Sequence, residues 1–468
     1  MSPTARIPPA ARSKPKEKTM KGRFAVLLKI FFIGVMTLVM LIPTLFILNL
    51  IDERQQRRAE ASGEVLKGWG GEQTLSGPVL VVPYLVENLL TNEKGEKTLQ
   101  RELHFSYFLP ERLDVESSLA SQTLHRGIFR VPVYQGEMKV QGRFAKPDLS
   151  AWGVPDEKIY WERAFLTLGV SDLRGLRETP NVSWNGQAIP FEPGTKDGAL
   201  FDSAIRAKLP PIAADARGFD FRMNLQMGGG RHLAFLPLGK DTNVKLSANW
   251  PHPSFTGNFL PVSRQVDAGG FKAEWKIPET ARAIPQSWRD NPPELYLPSF
   301  AFGADFMMPV DIYQFTTRAA KYAMLFILLT FVAFFLFEVM SKLRIHPVQY
   351  LLVSAGLCLF YLLLLSLSEH IAFGWAYLAA TAGTVGLITA YLTTVLQRKG
   401  RALLMAAVLS GLYAYLFTLL RAEDYALLMG TGGLFLILAA VMFLTRRINW
   451  YEIDQNKAAP VLNATAAS

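Results

Sequence analysis

The sequence predicts a membrane protein with six transmembrane α-helices, one N-terminal and five C-terminal. A large, mainly antiparallel β domain is expected between helices 1 and 2. Three observations predict this. Apolar runs long enough to cross a bilayer (~20 residues) occur once near the N-terminus and repeatedly after residue 318. Charge is segregated: residues 51–318 carry 31 Lys+Arg against 32 Asp+Glu, leaving 18 and 7 for the rest of a chain whose net charge is +10. Within residues 51–318 the apolar residues recur with a period of two, the mark of strands with one buried face. The basic excess therefore belongs to tails and short loops beside a membrane, and it speaks of topology and lipid headgroups rather than of nucleic acid.

Residues 1–23 form a basic tail with Arg6, Arg12, Lys14, Lys16, Lys18, Lys21 and Arg23 against the single acid Glu17. The positive-inside rule keeps it in the cytoplasm. Residues 24–50 are the first span, interrupted only by Lys29, which is near enough to the end to snorkel. The run exceeds a signal-peptide core, and IDERQQRR follows without a small-x-small cleavage site, so an uncleaved anchor is expected.

From Val348 to Leu396 the only full charges are Glu369 and, when protonated, His370. As one helix this stretch would be ~74 Å long, against a hydrocarbon core of ~30 Å. It must fold back, and Glu369–His370 marks the periplasmic hairpin tip; the rival reading of the pair is a proton relay or metal contact. The same reasoning yields spans at 319–339, 348–368, 371–396, 402–420 and 425–445, a block over 319–445 with a cytoplasmic tail at 446–468. Lys342 and Arg344, then Arg398, Lys399 and Arg401, then Arg446 and Arg447 lie on one side. Glu369, and Arg421 with Glu423 and Asp424, lie on the other. Both termini are thus expected in the cytoplasm, with residues 51–318 periplasmic. Small residues four apart, Ala379 to Gly383 and Ala382 to Gly386, together with Gly430, Gly432 and Gly433, suggest close helix packing. Cys358, the one cysteine, excludes a disulfide framework and reads as a packed, inert thiol.

In the β domain the alternation is clearest at Phe219, Phe221, Met223 and Leu225, at Phe129, Val131 and Val133, and at Leu103, Phe105 and Tyr107. Asn185-Gly186 signals a two-residue type I′ hairpin. Gly228-Gly229-Gly230 reads as a flexible hairpin tip, or else as an anion-holding nest of backbone amides. No nucleophile elbow, zincin helix, phosphate loop or dinucleotide fingerprint is present. No catalytic, cofactor or metal-ligating set is expected. The densest local signature is NWPHPSFTGNFLP, residues 249–261. Its prolines hold His252 in an extended segment among Trp250, Phe255 and Phe259. It is either a recognition loop offering aromatic faces and one titratable ring, or a loop packed on the β core.

RQQRRAEA, LSGPVLVVPY, NWPHPSFTGNFLP, YQFTTRAAKYAMLFILLTFVAFFLFE, HPVQYLLVSAGLCLFYLLLLSLSEH and LTRRINWY carry a resemblance to the CreD family over most of the chain from about residue 40 to 452. The resemblance implies a bacterial inner-membrane protein tied to cell-envelope integrity and a two-component response, with effects on colicin and β-lactam tolerance. It brings no catalytic residues with it.

Three functions follow, in order of preference. The first is a non-enzymatic envelope protein whose periplasmic domain binds another envelope protein or polymer while the helices anchor it in the lipid bilayer. The second is a transporter or lipid-handling permease with a polar cavity lined by Ser354, Thr381, Thr384 and Thr389. The third is a membrane-anchored envelope hydrolase using His252 and a nearby acid.

Overall fold

A computed structural model describes residues 28–29, 31–91, 97–194, 198–212, 216–290, 296–308, 312–341, 345–395, 398–422 and 425–446. The chain divides into two compact units, Gln56–Val310 and the remainder on either side of it. Lys342, Arg344, Glu423, Asp424 and Arg447 of the expected charge pattern lie outside the described residues, as do the tails 1–27 and 447–468.

Among the described residues six helices are long and apolar enough to cross a membrane. The first runs over Phe31–Trp69 and contains α1 (Leu41–Trp69), which continues well past the apolar run. The others are α2 (Ile312–Ser341), α3 (Pro347–Ser368), α4 (Phe373–Val395), α5 (Lys399–Arg421) and α6 (Ala426–Thr445). Without water to bond to, each backbone amide must find its partner within its own segment, which makes these runs helical. In the first span Ile33, Met36, Met40, Ile47 and Ile51 are buried at helical spacing, with Thr37 and Thr44 between them. Phe31, Leu38, Ile42 and Phe46 face outward. Met40 meets Cys358 of α3, sulfur to sulfur, at 4.0 Å. α3 starts as HPVQ should: His346 caps it reciprocally with Gln349, and Pro347 takes the first turn.

The fold-back is where chain length requires it, since α3 ends at Ser368 and α4 begins at Phe373. The small-residue register is different from the expected one. Ala379, Ala382, Gly383 and Gly386 are exposed, and a Cβ on Gly383 or Gly386 would meet nothing within 4 Å. The buried face of α4 is Ala376, Ala380, Thr384 and Ile388. The spacing rule holds, but one helical face over. Gly433 of α6 does make a close approach, lying under the Tyr415 ring of α5, whose hydroxyl donates to the Met429 carbonyl at 2.6 Å.

The second unit is built from β1 (Gln73–Thr91), β2 (Lys97–Phe108), β3 (Arg112–Arg126), β4 (Phe129–Ala145), β5 (Phe165–Val170), β6 (Asn181–Trp184), β7 (Gln187–Pro190), β8 (Glu192–Pro193) and β9 (Ala204–Lys208). It continues with β10 (Gly218–Gly230), β11 (His232–Phe235), β12 (Asp241–Ala248), β13 (Pro253–Gly257), β14 (Ser263–Asp267), β15 (Gly270–Pro278), β16 (Ser287–Arg289) and β17 (Phe302–Phe306). One sheet runs β13-β17-β11-β1-β5-β9-β8, with β2 and β16 extending from β1; the other runs β14-β15-β12-β3-β4-β10-β6-β7. Their inner faces share one apolar core, with Val79, Leu166 and Phe302 from the first sheet meeting Val140, Phe221 and Trp275 from the second. Pairing is mainly antiparallel, with β1–β11 and β3–β12 parallel.

The alternation in β10 is realised residue by residue: Phe219, Phe221, Met223 and Leu225 are buried and their neighbours exposed. Val131 and Val133 are buried, but Leu103 is 36% exposed, because the outer half of β2 runs beyond the sheet core. Asn185 (φ 49°) and Gly186 (φ 89°) form the I′ turn between β6 and β7. Gly228–Gly230 is neither a flexible tip nor a nest. It is the buried end of β10 against Gln135, Tyr134 and Val133. A Cβ at Gly229 would lie 2.5 Å from the Tyr134 hydroxyl, and one at Gly230 would lie 2.4 Å from Leu66. These glycines are cut to fit their neighbours.

Candidate functional site

The two charges that break the apolar run do not behave as one exposed tip. His370 is exposed, and its Nδ1 lies 3.0 Å from the Ser366 carbonyl. The Glu369 side chain is only 7% exposed. It accepts the Tyr313 hydroxyl of α2 at 3.0 Å and lies 3.9 Å from the guanidinium of Arg54 in α1. The pair therefore splits: one member faces out, and the other ties three helices together.

A matching site was not foreseen. Lys29 in the first span pairs with Glu338 near the end of α2. The second carboxylate oxygen accepts the Tyr350 hydroxyl of α3 at 3.1 Å, and the first accepts the Ile345 amide at 3.3 Å. Lys29 also donates to the Ile345 carbonyl at 3.3 Å. Each polar atom of a carboxylate this deep needs such a partner, because a bare charge in hydrocarbon is costly. Lys29 and Arg54 are 25 residues apart, about 37 Å along a helix, slightly more than the hydrocarbon thickness. The first span is pinned to the helical block at both ends. The sequence held one signal for this: Lys29 and Glu338 are opposite charges inside otherwise apolar runs.

Of the four polar residues expected to line a transport path, Ser354 and Thr389 turn onto their own helices, while the Thr381 and Thr384 hydroxyls are buried without a partner among the described residues. The Ser354 hydroxyl donates to the Leu351 carbonyl at 2.8 Å, and that of Thr389 to the Val385 carbonyl at 2.6 Å. A cavity between Phe326, Thr330, Leu357, Tyr361, Leu409 and Tyr413 measures about 10 Å³, room for roughly one water.

In residues 249–261 the rings turn inward. Trp250 is buried, donates its indole N–H to the Met307 carbonyl at 3.1 Å and meets Phe306 edge-on. Phe255, in edge strand β13, stands edge-on to Phe271 and Trp275. Phe259 stands edge-on to Phe302, and its carbonyl accepts the Trp275 indole N–H at 3.1 Å. His252 is exposed, with its carbonyl bonded to the Met307 amide. The histidines that touch acids are others: His232 with Asp305 at 2.5 Å and His104 with Asp290 at 3.0 Å. Among the described residues no group of three or more His, Cys, Asp or Glu is arranged to hold a metal ion.

The β unit has an open cleft of about 610 Å³ above β1 and β5. Its walls include Ser76, Ser171, Phe201, Asp202, Trp288 and Tyr296. The cleft starts where β1 shifts register between Ser76 and Val79. Gly169 leaves room for Phe201, whose ring would lie 2.7 Å from a Cβ there. Trp288 is 6% exposed and stacks on Tyr107 at 5.6 Å, yet its indole N–H has no partner among the described residues. An unmet buried donor costs about 1–3 kcal/mol. Burial, with Asp290 nearby, pushes the Tyr107 phenol up to about 12. Sequence reasoning did not find this cleft, because its walls come from six separate stretches of chain.

Six apolar helices of spanning length, with a two-sheet β domain inserted after the first, define a multi-pass membrane protein with one large folded insertion. The chain belongs to the CreD family: the family model described as inner membrane protein CreD matches residues 25–451. Inner membrane protein CreD of Escherichia coli K12 is 35% identical over 423 residues, covering 90% of this chain and 92% of its own. The chain is accordingly a multi-pass inner-membrane protein. Among solved structures, an M1 zinc metallopeptidase of Deinococcus radiodurans aligns over 36% of this chain and 38% of its own, at 12% identity and a TM-score of 0.20. That likeness is too slight to bear on fold or chemistry.

Proposed function

We propose that this protein supports cell-envelope integrity by binding or scaffolding, not by catalysis. Its β domain, residues 51–318, faces the periplasm and engages another envelope component, and both termini lie in the cytoplasm. The orientation is supported by Arg398, Lys399 and Arg401 at the start of α5 against Glu369 in the turn between α3 and α4. The observation that carries the reading is the open cleft in the β domain, of a size that suits a ligand. Among the described residues the helical block gives a permease less support: Ser354 and Thr389 satisfy their own helices, and the cavity beside Thr330 holds about 10 Å³. Its tethered first span suits an anchor.

The test has two arms. A compartment reporter fused after residue 150 should be active only in the periplasm; activity in the cytosol would overturn the orientation. A photo-crosslinking amino acid at Tyr296, on the cleft rim and 69% exposed, should capture an envelope component in living cells, whereas the same residue at Phe435, on the exposed face of α6, should capture lipid. Equal yields of the same species at both positions would remove the cleft from the proposal.

A further inference from the structure

We infer that the β-domain cleft binds an N-acetylated saccharide, an inference that rests on the binding role just proposed. The walls combine three kinds of group. Ser76 and Ser171 supply hydroxyls, and Asp202 supplies the one charge among the lining residues. Phe201 and Tyr296 supply rings at the rim. Trp288 lines the cleft with a ring whose indole N–H is buried and lacks an acceptor among the described residues. A pyranose answers each of them. Its C–H face stacks on an aromatic ring, and its hydroxyl belt meets serines and a carboxylate. An acetamido carbonyl brings the acceptor that Trp288 lacks, once the ring yields enough to present its N–H.

The competing ligand classes fit less well. A phosphate-rich ligand would face a lone carboxylate and no lining Arg or Lys. A lipid chain would strand the hydroxyls of the floor. A peptide that adds to a sheet needs a free strand edge, but β1 and β5 beneath the cleft are interior strands, paired on both sides. The volume of about 610 Å³ sits within the usual range for small-molecule sites.

The experiment uses the full-length protein in lipid nanodiscs and saturation-transfer NMR with two trisaccharides, β-1,4-linked N-acetylglucosamine and β-1,4-linked glucose. Transfer to the acetylated sugar should exceed that to the plain one. Tyr296→Ala and Asp202→Asn, both at exposed positions, should each weaken binding about tenfold, equal to about 1.4 kcal/mol. Trp288→Phe should abolish the preference for the acetylated sugar. Should Trp288→Phe fail to fold, the Tyr296 and Asp202 variants decide the matter alone. Absence of transfer from either sugar at millimolar concentration overturns the inference, as does transfer that ignores the cleft variants. A protein captured from Tyr296 in cells without any sugar binding overturns the saccharide and leaves the binding role standing. Failure of both assays removes both.

Discussion

The helical block and the β domain use charge in opposite ways. In the block two enclosed carboxylates are each met by a cation and a tyrosine hydroxyl: Glu338 by Lys29 and Tyr350, and Glu369 by Arg54 and Tyr313. In the β domain charges are many and mostly wet: Arg126 and Glu64 pair at 2.8 Å with their side chains 63% and 59% exposed. Equal contacts are therefore unequal in consequence. An exposed pair contributes about 0–1 kcal/mol, because water serves either ion almost as well. A carboxylate 9% exposed near a span end, such as Glu338, has no such alternative. In the β domain the place of these ion pairs is taken by apolar packing and neutral hydrogen bonds.

The sharpest way to break this contrast is Lys29→Ala. It leaves the enclosed Glu338 carboxyl without its cation; breaking a fully buried pair costs about 3–5 kcal/mol, and with Lys29 28% exposed the loss should fall at the lower end of that range. Thermal unfolding in nanodiscs should report the loss, and Lys29→Ala with Glu338→Gln should recover most of it, since the neutral amide's one oxygen still accepts from Ile345 while its NH2 can donate to the Tyr350 hydroxyl. Glu64→Ala, by contrast, should change stability by less than about 1 kcal/mol. If both alanine variants shift the midpoint alike, the contrast is wrong.

Next in size is Arg282, the β domain's own exception. It is 6% exposed, and burial holds its guanidinium below the usual arginine range. It donates to the Gly239 carbonyl at 3.0 Å, the Ile284 carbonyl at 2.8 Å and the Gln286 amide oxygen at 2.7 Å. It serves as a bracket between loops, satisfying carbonyls that water does not reach. Arg282→Leu keeps the bulk but strands the Ile284 carbonyl and the Gln286 oxygen, leaving Gly239 only the Thr242 hydroxyl, and about 3 kcal/mol should be lost, measured by denaturant unfolding. A loss below about 1 kcal/mol would mean that water takes over the carbonyls.

What could be read in advance follows the range of the interaction. The hairpin at Glu369 was legible because length alone forbids a straight helix there, and β10 was legible because Phe219 to Leu225 alternate within one strand. Lys29 and Glu338 are 309 positions apart, and nothing local in either run names the other. The partners of the Glu369 side chain are hidden for the same reason: Arg54 and Tyr313 come from two other helices. Period also fails to say which face is inward. In α4, Ala379–Gly383 and Ala376–Ala380 satisfy the same small-residue spacing, and only contact with the neighbouring helices chooses between them. Gly228–Gly230 looked loose because glycine permits mobility; buried against Tyr134 and Leu66 it instead permits contact. In 249–261 composition names the aromatic residues but does not show that Trp250, Phe255 and Phe259 face the core while His252 is exposed.

The smallest expected effect sharpens the contrast from the other side, because it leaves neutral pH untouched. The Tyr107 phenol is 2% exposed, and burial raises it to about 12 from an ordinary 10.0. Below pH 10 the folded and unfolded chains both keep this proton, so it contributes no pH dependence. Between pH 10 and about 12 the unfolded chain releases it first, and stability falls as pH rises. Tyr84 on neighbouring β1, also raised by burial, acts in the same direction. Tyr107→Phe keeps the ring on Trp288 and has no proton to lose. Its midpoint should match the parent at pH 8 and exceed it by a widening margin from pH 10 upward, followed by near-ultraviolet circular dichroism. A constant offset at every pH would make Tyr107 a packing residue only, and the alkaline fall would then have to start at other groups.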